Sequence, residues 1–200
     1  MPSAVAERGL GLIAALYIDA LGPYGRMAGV DPWPEWRDAR DYNGPDPVVA
    51  HPPCGPWGKL KHQYEGSEHD CAPRALRQVR KFGGVLEHPA DSMLWDRFKM
   101  PKPGEGRDKF GGLTIAIDQC AWGHVARKRT WLYLVRVDMD FVERTTRSGG
   151  EPTHWASGSR TAMRGAVPPW MKVCSAVQRR RTPPRLAQWL VDVAETARRK

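Results

Sequence analysis

VVAHPPCGPWG, residues 48–58, runs three apolar residues into His51, two prolines and a cysteine, then a turn of Gly, Pro and Trp. Proline has no amide hydrogen to extend a ladder, so the run predicts a short buried strand that stops before Cys54. An uninterrupted apolar strand fits a sheet covered by helices on both faces, which is the α/β class. In such sheets reactive groups gather beyond the carboxyl ends of the strands. Cys54 stands at such an end, on a rigid turn.

Elements on either side agree with an α/β alternation. Leu12–Asp19 (LIAALYID) is an apolar run before the turn LGPYG and reads as a buried strand, with a helix as its rival. Gly29–Asp31 is a second, short strand, and 32–47, rich in Pro, Asp and Trp, reads mostly as loop. Ala72–Phe82 (APRALRQVRKF) has Pro73 near its first turn and Leu76, Val79 and Phe82 at helical spacing; Gly83 and Gly84 end it. Val85–Glu87, Leu113–Asp118 and Thr130–Val137 read as strands, 144–170 as loop, and Pro183–Arg199 as a helix with one apolar face.

The chain has 200 residues, 41% of them hydrophobic, which suits one globular domain rather than a disordered chain. Its net charge of +9 points to a polyanionic partner, nucleic acid first. Basic residues concentrate at 127–129 and 179–181. The apolar run from Leu10 to Leu16 is too short to span a bilayer, and no signal-peptide pattern precedes it. No membrane association and a cytoplasmic location are therefore expected. Four widely spaced cysteines in a reducing compartment are expected to be free thiols.

A cysteine on a proline-stiffened turn suits a thiolate nucleophile, which must be exposed and held still. The bland alternative is a buried structural thiol. A third reading is zinc: His51 and Cys54 have HxxC spacing, with His62, His69 and Cys71 downstream. Zinc needs four ligands in tetrahedral reach, and no second tight pair completes that set.

VVAHPPCGPWG resembles the Pro-Cys loop of the DNA cytosine-5 methyltransferases. Two further segments are similar to that family in the same order. Leu86–Leu94 (LEHPADSML) resembles its strand ending in a glutamate. Trp122–Leu134 (WGHVARKRTWLYL) resembles its Arg-x-Arg segment and the hydrophobic strand that follows. Asp38–Asp46 (DARDYNGPD) resembles the acidic turn before the Pro-Cys strand, and Pro183–Ala194 its closing helix. About half the chain is covered. The resemblance implies a reduced Rossmann-like methyltransferase sheet with flanking helices, in a compact, phage-type member that modifies cytosines in DNA with low sequence specificity.

It also implies roles. Cys54 attacks C6 of the pyrimidine and makes C5 nucleophilic. Glu87 meets the N3/N4 edge of the base, and Arg127 and Arg129 hold the base carbonyl or a phosphate. His51, Pro53, Trp57, His88 and His124 adjoin the three segments and are candidate substrate-binding residues, with Trp57 expected to stack on a base. A base in a duplex must first be flipped out of the stack.

Three features depart from the family pattern. Its Phe-x-Gly-x-Gly loop has no counterpart; the nearest stretch is DALGPYG, 19–25. Only about 35 residues separate Asp19 from Cys54, which shrinks the half of the fold that holds the methyl donor. In place of a large target-recognition domain stands a short, basic, Gly- and Pro-rich segment over 138–182. Asp19, Asp31 and Asp41 are the candidate cofactor-binding residues. The donor is S-adenosylmethionine or methylene-tetrahydrofolate, and the one-carbon group methyl or hydroxymethyl. Two alternatives stay open: an enzyme modifying a free pyrimidine nucleotide such as dCMP with a folate donor, and a non-catalytic basic DNA-binding protein with a zinc site.

Overall fold

The computed structural model describes residues 11–58, 61–156 and 170–199. In chain order the elements are β1 (Ile13–Ile18), β2 (Val30–Pro34), β3 (Val48–Ala50), α1 (Cys71–Phe82), β4 (Gly84–Pro89), α2 (Leu94–Arg97), β5 (Leu113–Asp118), β6 (Arg129–Val135), α3 (Met139–Thr145), β7 (His154–Trp155), β8 (Lys172–Val173), α4 (Ala176–Arg180) and α5 (Pro184–Glu195), with short 3-10 turns between them. β1 to β6 form one sheet in the order β2-β1-β3-β4-β6-β5. β2, β1, β3 and β4 are parallel, whereas β6 runs antiparallel to both β4 and β5. The fold is thus mixed α/β, with a six-stranded mixed sheet and flanking helices.

The apolar runs explain the layering. Along β1, Ile13 and Ala15 pack with α5 on one face while Ala14 and Leu16 pack with α1 on the other. Both parities are buried, so the run shows no alternation, and Leu12–Asp19 resolves as strand rather than helix. β3 and β4 divide the same way: Val49 and Val85 face α5, and Val48, Ala50 and Leu86 face α1.

Several boundaries differ from the sequence reading. β2 continues through Pro32 to Pro34 instead of giving way to loop at Pro32. Prolines are tolerated there because β2 is an edge strand that pairs with β1 alone. α1 ends at Gly83, whose N–H bonds the Val79 carbonyl at 2.8 Å, while Gly84 already belongs to β4. α3 falls within a stretch that carried no expected element; Asp138 caps it, accepting from the Asp140 and Phe141 amides. α5 stops at Glu195 and tightens into a 3-10 turn over Thr196–Arg199. Part of the expected loop, 157–169, lies outside the described residues. Among the described residues no helix is long and apolar enough to cross a membrane.

The topology sets one switch point in the six-stranded sheet, the place where ligands bind in open sheets of this kind. β2 lies on one side of β1 and β3 on the other, so the connections diverge between β1 and β3 beyond their carboxyl ends. Antiparallel β6 brings its first residues to that same end, since Thr130 sits opposite Pro89 at the end of β4.

Candidate active site

The His51 amide still bonds the Leu16 carbonyl at 3.0 Å, one step past β3, before the two prolines end the ladder. Cys54 then caps a 3-10 turn, Gly55–Trp57, and its carbonyl accepts the Trp57 N–H at 3.0 Å. The Tyr64 ring closes over this turn: a Cβ on Gly55 would lie 2.4 Å from it, so any larger residue there must displace the ring. The four cysteines are free, in line with the sequence; Cys54 is exposed and the other three are buried.

Glu87 comes from the carboxyl end of β4, on the α5 side of the sheet with His51. Its Oε2 is 3.1 Å from His51 Nδ1, and its Oε1 accepts from Gln119 Nε2 at 3.0 Å. Lys128 Nζ stands 4.0 Å from the same Oε1. Burial opposes ionisation of this carboxyl, but the Lys128 ammonium and the His51 hydrogen bond outweigh it and bring Glu87 down to about 2. Glu87 is therefore a buried carboxylate at neutral pH.

The environment of Cys54 pulls two ways. Although the residue is exposed, the surrounding walls desolvate its sulfur and raise the thiol above its ordinary value. Lys128 acts in the opposite sense, Glu87 raises the thiol further, and Arg180 of α4 lowers it. Cys54, Glu87 and Lys128 thus lie within electrostatic reach of one another beyond the carboxyl ends of β3 and β4.

Lys128, not its neighbours, enters the site. Arg127 is exposed and reaches Asp118 at 3.6 Å, and Arg129 is exposed as well. A tight turn explains the choice: the Lys128 N–H bonds the Ala126 carbonyl at 2.9 Å, and its own carbonyl accepts from the Gln119 amide at 3.1 Å and the Thr130 hydroxyl at 3.2 Å. The two arginines that the resemblance places on the substrate instead line a cleft of about 880 Å³ with Lys128, Arg147, Asp91 and Asp118. Four cations against two carboxylates leave that cleft basic. Since Lys128 lines it and also reaches Glu87, the cleft opens directly beside the cysteine loop's partners.

The other candidate residues divide. His51 is in the site. Pro53 lies next to His88, its carbonyl close enough to favour the charged ring. His88 itself is buried on the α1 face, edge-on to Trp95, and burial lowers it to about 4. Trp57 does not stand free to stack on a base: it packs edge-on against Phe98 at 5.7 Å, and its carbonyl accepts the Met93 N–H at 2.9 Å. His124 is tied away from the site by the Ala126 amide at 3.0 Å and the Gln178 carbonyl at 3.0 Å, which anchors α4. Three residues of the site, Gln119, Thr130 and Lys128, escape the sequence reading. Gln119 and Thr130 are plain polar residues whose role depends on β5 and β6 meeting beside β4; Lys128 is hidden between two arginines.

The residues expected to cradle a donor do not fit one. The stretch 19–25 folds into a 3-10 turn that turns Tyr24 inward rather than baring glycine amides. Asp19 accepts from the Leu21 amide at 2.9 Å, and both oxygens of Asp31 are engaged, by the Trp33 indole and by Arg37. Asp41 is exposed on a separate 3-10 turn. For the zinc reading, no set of three His, Cys, Asp or Glu side chains among the described residues gathers as a metal site would, and both His51 ring nitrogens are engaged by Tyr24 and Glu87.

Set against known proteins, the chain matches no family model, no curated protein and no solved structure.

Proposed function

We propose that this chain activates C5 of cytosine in DNA for one-carbon transfer, through a covalent bond between Cys54 and C6 of the base, on a reduced Rossmann-like methyltransferase sheet. The observation that carries the reading is the convergence of an exposed cysteine, an ionised buried glutamate and a lysine at the carboxyl ends of β3 and β4 and the start of β6. A nucleophile, a base-edge acceptor and a cation beyond the carboxyl ends of parallel strands suit a reaction site better than a structural cluster.

The steps follow from the groups. Lys128 favours the Cys54 thiolate, whose proton leaves to water. The sulfur attacks C6, and the C5–C6 double-bond electrons move onto C5, spread over C4 and N3, leaving C5 nucleophilic. Glu87, as a carboxylate, accepts a hydrogen bond from the exocyclic amino group and holds the base edge in register. C5 then takes an electrophile; water removes the C5 proton, the C–H electrons re-form the C5–C6 double bond, and the sulfur leaves C6 as the thiolate. S-adenosylmethionine or methylene-tetrahydrofolate is the expected donor on the resemblance. No fitting cradle among Asp19, Asp31 and Asp41 supports either, so the roles assigned to this chain's residues end at C5 activation. The basic cleft beside Lys128 supports a polymeric substrate whose flanking phosphates lie on Arg127, Arg129 and Arg147.

Release of tritium from C5 of labelled cytosine, with no donor added, tests this directly. Release from DNA that disappears in Cys54→Ala is the expected result. Release from dCMP alone moves the substrate to the free nucleotide. Silence from both, persisting with each donor supplied, rejects the enzyme.

A further inference from the structure

We propose that Tyr24 and His51 are positioning residues that clamp Glu87 as a hydrogen-bond acceptor, so that the site selects a pyrimidine bearing an exocyclic amino group over one bearing a carbonyl. The selection rests on the reading of Glu87 as the residue that meets the base; the clamp itself does not.

The geometry is a chain of three side chains from three elements. Tyr24, from the turn after β1, places its hydroxyl 2.7 Å from His51 Nε2. His51 Nδ1 lies 3.1 Å from Glu87 Oε2. Tyr24 is buried, and burial keeps its hydroxyl protonated far above neutral pH. A carboxylate can only accept, so the His51 nitrogen facing Glu87, Nδ1, carries the hydrogen; on the neutral ring Nε2 is then the acceptor, and the Tyr24 hydroxyl donates to it. Donors therefore reach both carboxylate oxygens, His51 at Oε2 and Gln119 at Oε1, with Thr130 bracing the Gln119 amide at 3.0 Å. The charged and titratable groups around this chain are Glu87 on β4, Lys128 before β6, Cys54 on His51's own loop, and His88, which acts on Glu87 from the neighbouring position of β4. A carboxylate so fixed welcomes an amino group and repels a carbonyl oxygen.

The clamp also gives the stretch DALGPYG a purpose. It stands where a glycine loop for a cofactor is sought, and its tyrosine instead serves the strand two places along the chain order. A Tyr24→Phe chain loses one oxygen and keeps the ring that packs at 5.3 Å from His51.

Two measurements on the full chain test this. The first is the ¹⁵N spectrum of the histidines together with the ¹³C titration of the Glu87 carboxyl. A locked Nδ1–H tautomer is expected for His51, becoming a mixture in Tyr24→Phe, with Glu87 titrating at higher pH as its donor weakens. The second is C5 tritium release from DNA carrying cytosine or uracil. Tyr24→Phe and His51→Gln are expected to lower the cytosine-to-uracil preference by roughly tenfold, the worth of one charged hydrogen bond. The acid limb of the rate profile should rise in pH, because a less depressed carboxyl is protonated sooner. A structural role for Tyr24 would lower all rates and leave preference and acid limb in place, which overturns the selection. A mixed tautomer in the wild type, or a Tyr24→Phe chain unchanged in Glu87 titration, overturns the clamp. A locked tautomer in a chain that releases no tritium from any pyrimidine supports the clamp and rejects the cytosine reading.

Discussion

At Cys54 desolvation and a neighbouring cation oppose each other, and the balance leaves the thiol above its ordinary value. Such a cysteine is quiet until something shifts the balance, which suits a nucleophile that should not react with passing electrophiles. Lys128 supplies the downward pull, so Lys128→Ala should raise the thiol further. Alkylation of Cys54 by iodoacetamide at pH 7.5 is then expected to slow by roughly tenfold, the effect of about one pKa unit, and its pH midpoint to move up. An unchanged rate would remove Lys128 from the site. Cys54 is legible in the sequence because prolines before it and glycines after it mark a stiff, outward turn that a core thiol does not need. Lys128 is not, since three consecutive basic residues look alike until a turn decides which one faces inward. Trp57 shows the converse: an aromatic beside a reactive residue reads as a stacking platform, but Trp57 is half-buried, edge-on to Phe98 and packed against the core.

The elements are legible where burial alone determines them. β1, β3, β5 and β6 are apolar runs bounded by turn residues, and they form where the runs are. The signals that fail are those that depend on a neighbour. Prolines at 32 and 34 argue for loop unless the strand is known to be an edge, and only the sheet order reveals that. α3 is short and its capping Asp138 is one of many aspartates. The tightest joint between elements is Gly84, at φ +110°, where an added Cβ would fall 2.0 Å from the Val48 carbonyl oxygen. Gly84→Ala therefore meets both an unfavourable backbone conformation and a backbone clash across the β3–β4 pairing. A loss of about 3 kcal/mol is expected by urea unfolding. The site should suffer with it, because β3 and β4 carry Cys54 and Glu87 in register. A loss below about 1 kcal/mol would mean that the two strands part more easily than their pairing implies.

Across the whole molecule the net charge of +9 is a property any reader of the sequence obtains, but its direction is not. The structure gathers Arg127, Lys128, Arg129 and Arg147 around one cleft, joined to the site through Lys128 and Glu87. On the proposed DNA substrate, binding through that face should weaken with salt, and each phosphate that no longer meets a cation should flatten the dependence by about 0.7 to 0.9 in the log–log slope. Arg129→Gln with Arg147→Gln is expected to flatten it by about 1.5, read by fluorescence anisotropy over a series of KCl concentrations. Both side chains are exposed, so the melting temperature should stay where it was. An unchanged slope would place the nucleic acid on another face.

The position of α5 has a consequence for how the protein is made. Ile13, Ala15, Val49 and Val85 leave the ribosome long before the helix that covers them, which spans Pro184–Glu195. β6, which brings Lys128 and Thr130 to Glu87, also follows late. A nascent chain can therefore pair β1, β3 and β4 and lay α1 on one side while the opposite side stays bare. During that interval the half-built sheet is a natural client for a chaperone. The cysteine emerges well ahead of the groups that restrain and direct it, and the sheet face behind it is covered only when α5 closes over β1.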